Sequence, residues 1–162
     1  MDELKINFIL NGRAVGISIS PEMSLLTVLR DLCHVHSVKR ACVEGECGAC
    51  TVLVNGKAMN SCLILAATIE GKSVETVESL GRPGNLHPIQ KAFVEMGASQ
   101  CGFCTPGLIM AARALLDENP SPTEHEIRRA LAGNLCRCTG YVKPVRAIMQ
   151  AAAEIREVKQ NV

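Results

Sequence analysis

Residues 42–50 read CVEGECGAC, three thiols in nine positions, and a fourth, Cys62, follows twelve positions after Cys50. Farther along, CGFC at 101–104 and CRC at 136–138 supply four more. Nine Cys in a 162-residue chain require an explanation. The opening MDELKINFILNG has no basic start, long apolar core and small-residue cleavage site, so no secretory signal peptide is expected. No apolar run approaches the ~18 residues of a membrane span, and a cytoplasmic location is expected. Disulfides are rare there, so clustered thiols point to metal binding or redox chemistry.

The remaining composition excludes other classes. Seventeen Lys and Arg stand against sixteen Asp and Glu, a net charge of +1. No basic footprint for nucleic acid is expected. One Tyr, three Phe and no Trp are too few for a base-stacking platform.

Around the thiols the chain divides in two. Leu4–Leu10 and Arg13–Ser20 read as strands joined by Asn11-Gly12, and Thr51–Val54 and Lys57–Asn60 as strands joined by Asn55-Gly56. Asn-Gly between extended runs signals a hairpin. Ser24 caps a helix expected through about Cys33, with Leu25, Leu29, Leu32 and Cys33 on its apolar side. A short helix near Leu63–Ala67 and a strand near Ser73–Val77 complete a compact α+β sheet. The break Gly81-Arg-Pro-Gly-Asn85 suggests a boundary, giving domains 1–80 and 81–162. Beyond it the apolar period is helical, with four helices expected. Thr123-Glu-His-Glu126 has the form of a capping box. CGFC-Thr105 and CRC-Thr139 each fall at the turn between two helices, so packing the helix pairs together brings both Cys pairs to one end.

The first set, Cys42-x4-Cys47-x2-Cys50 with Cys62, has the spacing by which plant-type ferredoxins hold a [2Fe–2S] cluster. Three thiolates converge from one loop, and Gly45 and Gly48 permit the backbone dihedrals this takes. The second set is Cys101, Cys104, Cys136 and Cys138. Thr105-Pro106 reads as an N-cap and first helical residue beside it. Spacing alone also admits structural zinc at either set, less readily at the first. Cys33 reads as a small core hydrophobe. His34, His36, His87 and His125 are scattered and read as surface or loop residues.

The strings CVEGECGACTVLVNG, QCGFCTPG and AGNLCRCTGY together resemble the iron–sulfur subunit of molybdenum hydroxylases. That group includes xanthine dehydrogenase, aldehyde oxidoreductase, nicotinate dehydrogenase, carbon monoxide dehydrogenase and 4-hydroxybenzoyl-CoA reductase. The resemblance spans about residues 4–155 and favours a second [2Fe–2S] cluster over zinc. It implies an α+β fold, a ferredoxin-like β-grasp domain followed by a four-helix domain. It implies that Cys101, Cys104, Cys136 and Cys138 hold the cluster nearer molybdenum, and that Cys42, Cys47, Cys50 and Cys62 hold the one on the flavin side. Gln100 and Cys138 would approach the pterin of the molybdenum cofactor.

The implied partners are a large subunit with molybdopterin, in a dinucleotide form, and a medium subunit with FAD, in a dimer of heterotrimers. No substrate-converting residues are expected on this chain. SCLILAATIEG resembles bacterial xanthine dehydrogenase small subunits, and KSVETVESL the 4-hydroxybenzoyl-CoA reductase small subunit. A purine or other N-heterocycle substrate is expected, with 4-hydroxybenzoyl-CoA reductase-type or aldehyde-oxidising complexes as alternatives. A free-standing ferredoxin-like carrier and a zinc-stabilised interaction module are two further classes.

Overall fold

The computed structural model describes residues 3–160. Five strands form one mixed sheet: β1 (Leu4–Leu10), β2 (Arg13–Ile19), β3 (Thr51–Val54), β4 (Lys57–Asn60) and β5 (Ser73–Glu75), in the order β2-β1-β5-β3-β4. Both Asn-Gly hairpins form. Asn11 and Gly12 have φ of 50° and 78°, and Asn55 and Gly56 of 48° and 79°, the left-handed pair that a two-residue hairpin turn requires. β5 joins the hairpins, parallel to β1 and antiparallel to β3.

Alternation sets the faces. Ile6, Phe8 and Leu10 of β1 are buried, with exposed residues between them. They share a core with Leu25, Leu26, Val28, Leu29, Val52 and Val74. The helix expected to run to Cys33 is instead one short turn, α1 (Leu25–Thr27), opening into a π-turn over Val28–Leu32. Ser24 caps it as expected, its hydroxyl accepting from the Thr27 amide. Leu25, Leu26, Val28 and Leu29 are all buried, a spread wider than the single stripe of a regular surface helix. The wider turn leaves Leu32 exposed rather than in the apolar face.

The second half contains the four expected helices: α2 (Pro88–Glu95), α3 (Thr105–Glu118), α4 (Glu124–Leu131) and α5 (Val142–Gln160). The α4 capping box forms, Thr123 and Glu126 each bonding the other's amide. His87, read from sequence as a loop residue, caps α2: its Nδ1 accepts from the Ile89 amide, while Gln90 accepts from the His87 amide. Ile89, Phe93, Leu108, Ala112, Ile127 and Ile148 build a separate core among these helices. The central helix α3 also lies on β3 and β4. Every residue of β3 is therefore buried, covered by its own core on one side and by α3 on the other.

Candidate metal centres

The first cysteine loop, residues 42–50, leads directly into β3. Cys42, Cys47 and Cys62 are partly buried and Cys50 is buried. The amides of Glu44 and Cys47 each donate to Cys42 Sγ across 3.4 Å. With the Cys47 thiol they bring the Cys42 thiol down to about 7. Burial, then the adjacent Cys50 thiol, pushes Cys62 up to about 11. Glu44 and Glu46 are exposed, as expected of a loop that uses amides and sulfurs rather than carboxylates. Val43 adopts φ of 63°, an uncommon conformation for a β-branched residue, and nothing local in the sequence announces it.

The second quartet comes from two interhelical turns, α2–α3 and α4–α5. Cys101 and Cys138 are exposed and their sulfurs lie 3.9 Å apart. Cys104 and Cys136 are partly buried and adjacent. Burial, then the Cys136 thiol, pushes Cys104 up to about 12. Burial also pushes Cys136 up, but donors from Thr139 and the Cys138 amide outweigh it and bring Cys136 down to about 7. Gln100 is exposed and immediately precedes Cys101. α3 begins one residue earlier than the Thr-Pro pair predicts. Cys104 is its N-cap, already in a helical conformation, and the Thr105 hydroxyl meets Ser99 Oγ at 2.9 Å instead.

In both quartets the thiols approach in twos: Cys42 with Cys47, Cys50 with Cys62, Cys101 with Cys138, and Cys104 with Cys136. Among the described residues no three or more His, Cys, Asp or Glu converge as ligands of one ion would. Two thiolates to each of two irons is the ligand count of an all-Cys [2Fe–2S] centre, so the donor set fits that group. Cys33 is partly buried against the first core, and burial raises its thiol, as a packing residue requires.

The two quartets are joined by backbone. The Leu135 amide, next to Cys136, donates to the Cys47 carbonyl across 2.9 Å. Buried Asn134 donates to the Gly48 carbonyl at 2.9 Å and to Thr51 Oγ1 at 3.0 Å. A Cβ on Gly48 would lie 2.2 Å from the Gly133 carbonyl oxygen, and one on Gly107 2.4 Å from the Gly48 carbonyl oxygen. Only glycine permits so close an approach of the first loop to α3 and to the second turn.

Two family models cover the chain: a 2Fe-2S iron-sulfur cluster binding domain over residues 8–79 and a [2Fe-2S] binding domain over 76–149. The nicotinate dehydrogenase small FeS subunit of Eubacterium barkeri is 47% identical over 154 residues, 95% of this chain and 98% of that one. The chain belongs to the iron–sulfur subunits of the molybdenum hydroxylase family. A second relative of this family, the xanthine dehydrogenase iron-sulfur-binding subunit of Escherichia coli, is 48% identical over 91% of this chain and 94% of its own.

Two solved structures extend the family likeness to the fold. Quinoline 2-oxidoreductase from Pseudomonas putida superposes with a TM-score of 0.92 at 41% identity, covering 96% of this chain and 97% of the matched one. The aldehyde oxidoreductase of Desulfovibrio desulfuricans gives 0.92 at 46% identity over 94% of this chain. There the match spans 17% of a far longer polypeptide. These likenesses carry the α+β architecture of a ferredoxin-like domain followed by a helical [2Fe–2S] domain.

Proposed function

We propose that this family member relays single electrons between a molybdopterin site and FAD, both on partner subunits, and that its eight paired cysteines hold the two relay centres. A [2Fe–2S] group, when bound, takes up and gives out one electron at a time. Cys42, Cys47, Cys50 and Cys62 hold the first, and Cys101, Cys104, Cys136 and Cys138 the second. The observation that carries this reading is the Leu135–Cys47 hydrogen bond. It links a ligand of one quartet to the neighbour of a ligand of the other through backbone alone.

The outer face of the second quartet supports its place nearest the pterin. Gln100, Cys101, Phe103 and Cys138 are all exposed there. Apolar Phe103 at 45% exposure suits a surface that a subunit covers. The division at 80/81 then separates two one-electron units, each with its own core. A cytoplasmic dimer of heterotrimers with large and medium subunits completes the proposal. None of the described helices is long and apolar enough to cross a membrane.

An N-heterocycle is the proposed substrate of the complex. The relatives named for nicotinate, xanthine and quinoline support it, and each of those compounds carries nitrogen in an aromatic ring. The aldehyde oxidoreductase likeness favours aldehydes as the second reading. The native complex, isolated anaerobically, separates the two. Nicotinate, xanthine or quinoline is expected to bleach the iron–sulfur absorption within turnover time. Bleaching by aldehydes alone would replace the proposed substrate class.

A further inference from the structure

Around Cys136 four hydrogen bonds close a small ring. The Thr139 hydroxyl reaches Cys136 Sγ across 3.1 Å, and the Thr139 amide donates to the same sulfur at 3.5 Å. The Tyr141 amide donates to Thr139 Oγ1 at 3.3 Å. The Cys136 amide in turn donates to the Tyr141 hydroxyl oxygen at 2.7 Å. With an amide already bonded to Oγ1, the Thr139 hydroxyl proton is directed at the sulfur.

The backbone makes this ring against its own preference. Gly140 and Tyr141 follow one another at φ of 61° and 65°. Tyrosine in that conformation is uncommon and persists where its surroundings hold it. Here the held position puts its amide on Thr139 and its hydroxyl on Cys136. Thr105 stands one residue after Cys104 as Thr139 stands one after Cys138, yet its hydroxyl is paired with Ser99. The donor to sulfur therefore belongs to the second turn's own geometry rather than to a Cys-Thr repeat.

We infer that Thr139, locked by Tyr141, is a positioning residue that raises the reduction potential of the second centre through its hydroxyl on Cys136. The inference rests on the ligand set proposed above. Reduction adds one negative charge to a centre already held by four thiolates. A donor aimed at a ligand sulfur stabilises the more negative state more, and hydrogen bonds to sulfur are among the determinants of iron–sulfur potentials. The first quartet has amide donors at Cys42, which side-chain substitution cannot remove. The second has a hydroxyl, which it can.

The test is a potentiometric titration of the iron-replete full chain, both centres followed by EPR. In Thr139→Val, which keeps the shape and removes the hydroxyl, the second centre's midpoint is expected to fall. The expected size is about a tenfold change in its reduction equilibrium, about 59 mV for a one-electron couple. The first centre is expected to stay put, and Thr139→Ser to restore the second. Tyr141→Phe, which removes the acceptor for the Cys136 amide and loosens the lock, is expected to move the second midpoint the same way and less. An unchanged second midpoint in Thr139→Val overturns the inference, as does failure of Thr139→Ser to restore it. If Thr139→Val loses its iron, the Tyr141→Phe midpoint decides in its place. Absence of a second [2Fe–2S] signal from the unaltered chain instead removes the ligand set itself.

Discussion

The Leu135 amide and the Cys47 carbonyl oxygen, 88 positions apart in sequence, meet at 2.9 Å and join the two cysteine loops by a hydrogen bond. Neighbouring contacts tie the same two loops together. Asn134 clamps the same first loop from the preceding position, and the facing glycines leave no side chain between the backbones.

Asn134→Leu is expected to destabilise the chain by about 1–3 kcal/mol, the loss of its two buried hydrogen bonds to the Gly48 carbonyl and Thr51 Oγ1 at about 0.5–1.5 kcal/mol each. Chemical denaturation measures that loss. Low-temperature EPR of the reduced variant is expected to show weaker magnetic interaction between the centres. An unchanged interaction would mean that the clamp does not set their spacing.

Two glycines with similar backbone angles give a paired test. Gly48→Ala is expected to disrupt the junction and lower iron retention at the first quartet, because its Cβ meets the Gly133 carbonyl at 2.2 Å and φ is 64°. Gly56→Ala has φ of 79° but open space around its Cβ. Only the left-handed cost of about 1–2 kcal/mol is expected there. Iron per chain, measured for both, checks the contrast.

His87 makes stability depend on pH. Burial, then the nearby Arg113, holds its pKa below 6.5, while Asp117 opposes them. Its neutral Nδ1 is the acceptor that caps α2. A folded pKa below the unfolded one gives stabilisation that is complete above about pH 6.5 and is lost as pH falls through the folded value. Thermal melts are expected to fall more steeply between pH 7.5 and 5.5 in the unaltered chain than in His87→Asn, which caps without titrating.

Gln100→Ala is expected to leave stability within about 0.5 kcal/mol, as for other exposed substitutions. Iron content is expected to stay the same. In the assembled enzyme it is expected to slow reduction of the second centre by substrate, read by stopped-flow absorption. An unchanged rate would separate Gln100 from the pterin contact proposed for it.

Most of the fold is legible because its signals are local. Asn11-Gly12 and Asn55-Gly56 fix their hairpins through their own dihedrals, and Ser24 and Thr123 cap helices through partners three residues away. What escaped sequence reading depends on distant partners. Asn11 does more than turn: its side chain accepts from the Thr76 amide, 65 positions on. Asn134 looks like a polar loop residue until Gly48 and Thr51 come within reach. The π-turn after Thr27 answers to the packing of four aliphatic side chains, which an i, i+4 pattern does not encode. His87 alone had a readable signal, since His-Pro-x-Gln places a side-chain acceptor before a Pro-started helix with Gln at its third position.

In the proposed relay, eight thiolates hold two [2Fe–2S] centres close enough to exchange electrons. EPR of the anaerobically purified, dithionite-reduced chain, with iron and zinc assayed on the same sample, tests it most directly. About four irons and two one-electron signals per chain are expected, each signal split by the other at low temperature. One signal with two irons, or zinc in place of iron at the second quartet, would contradict it.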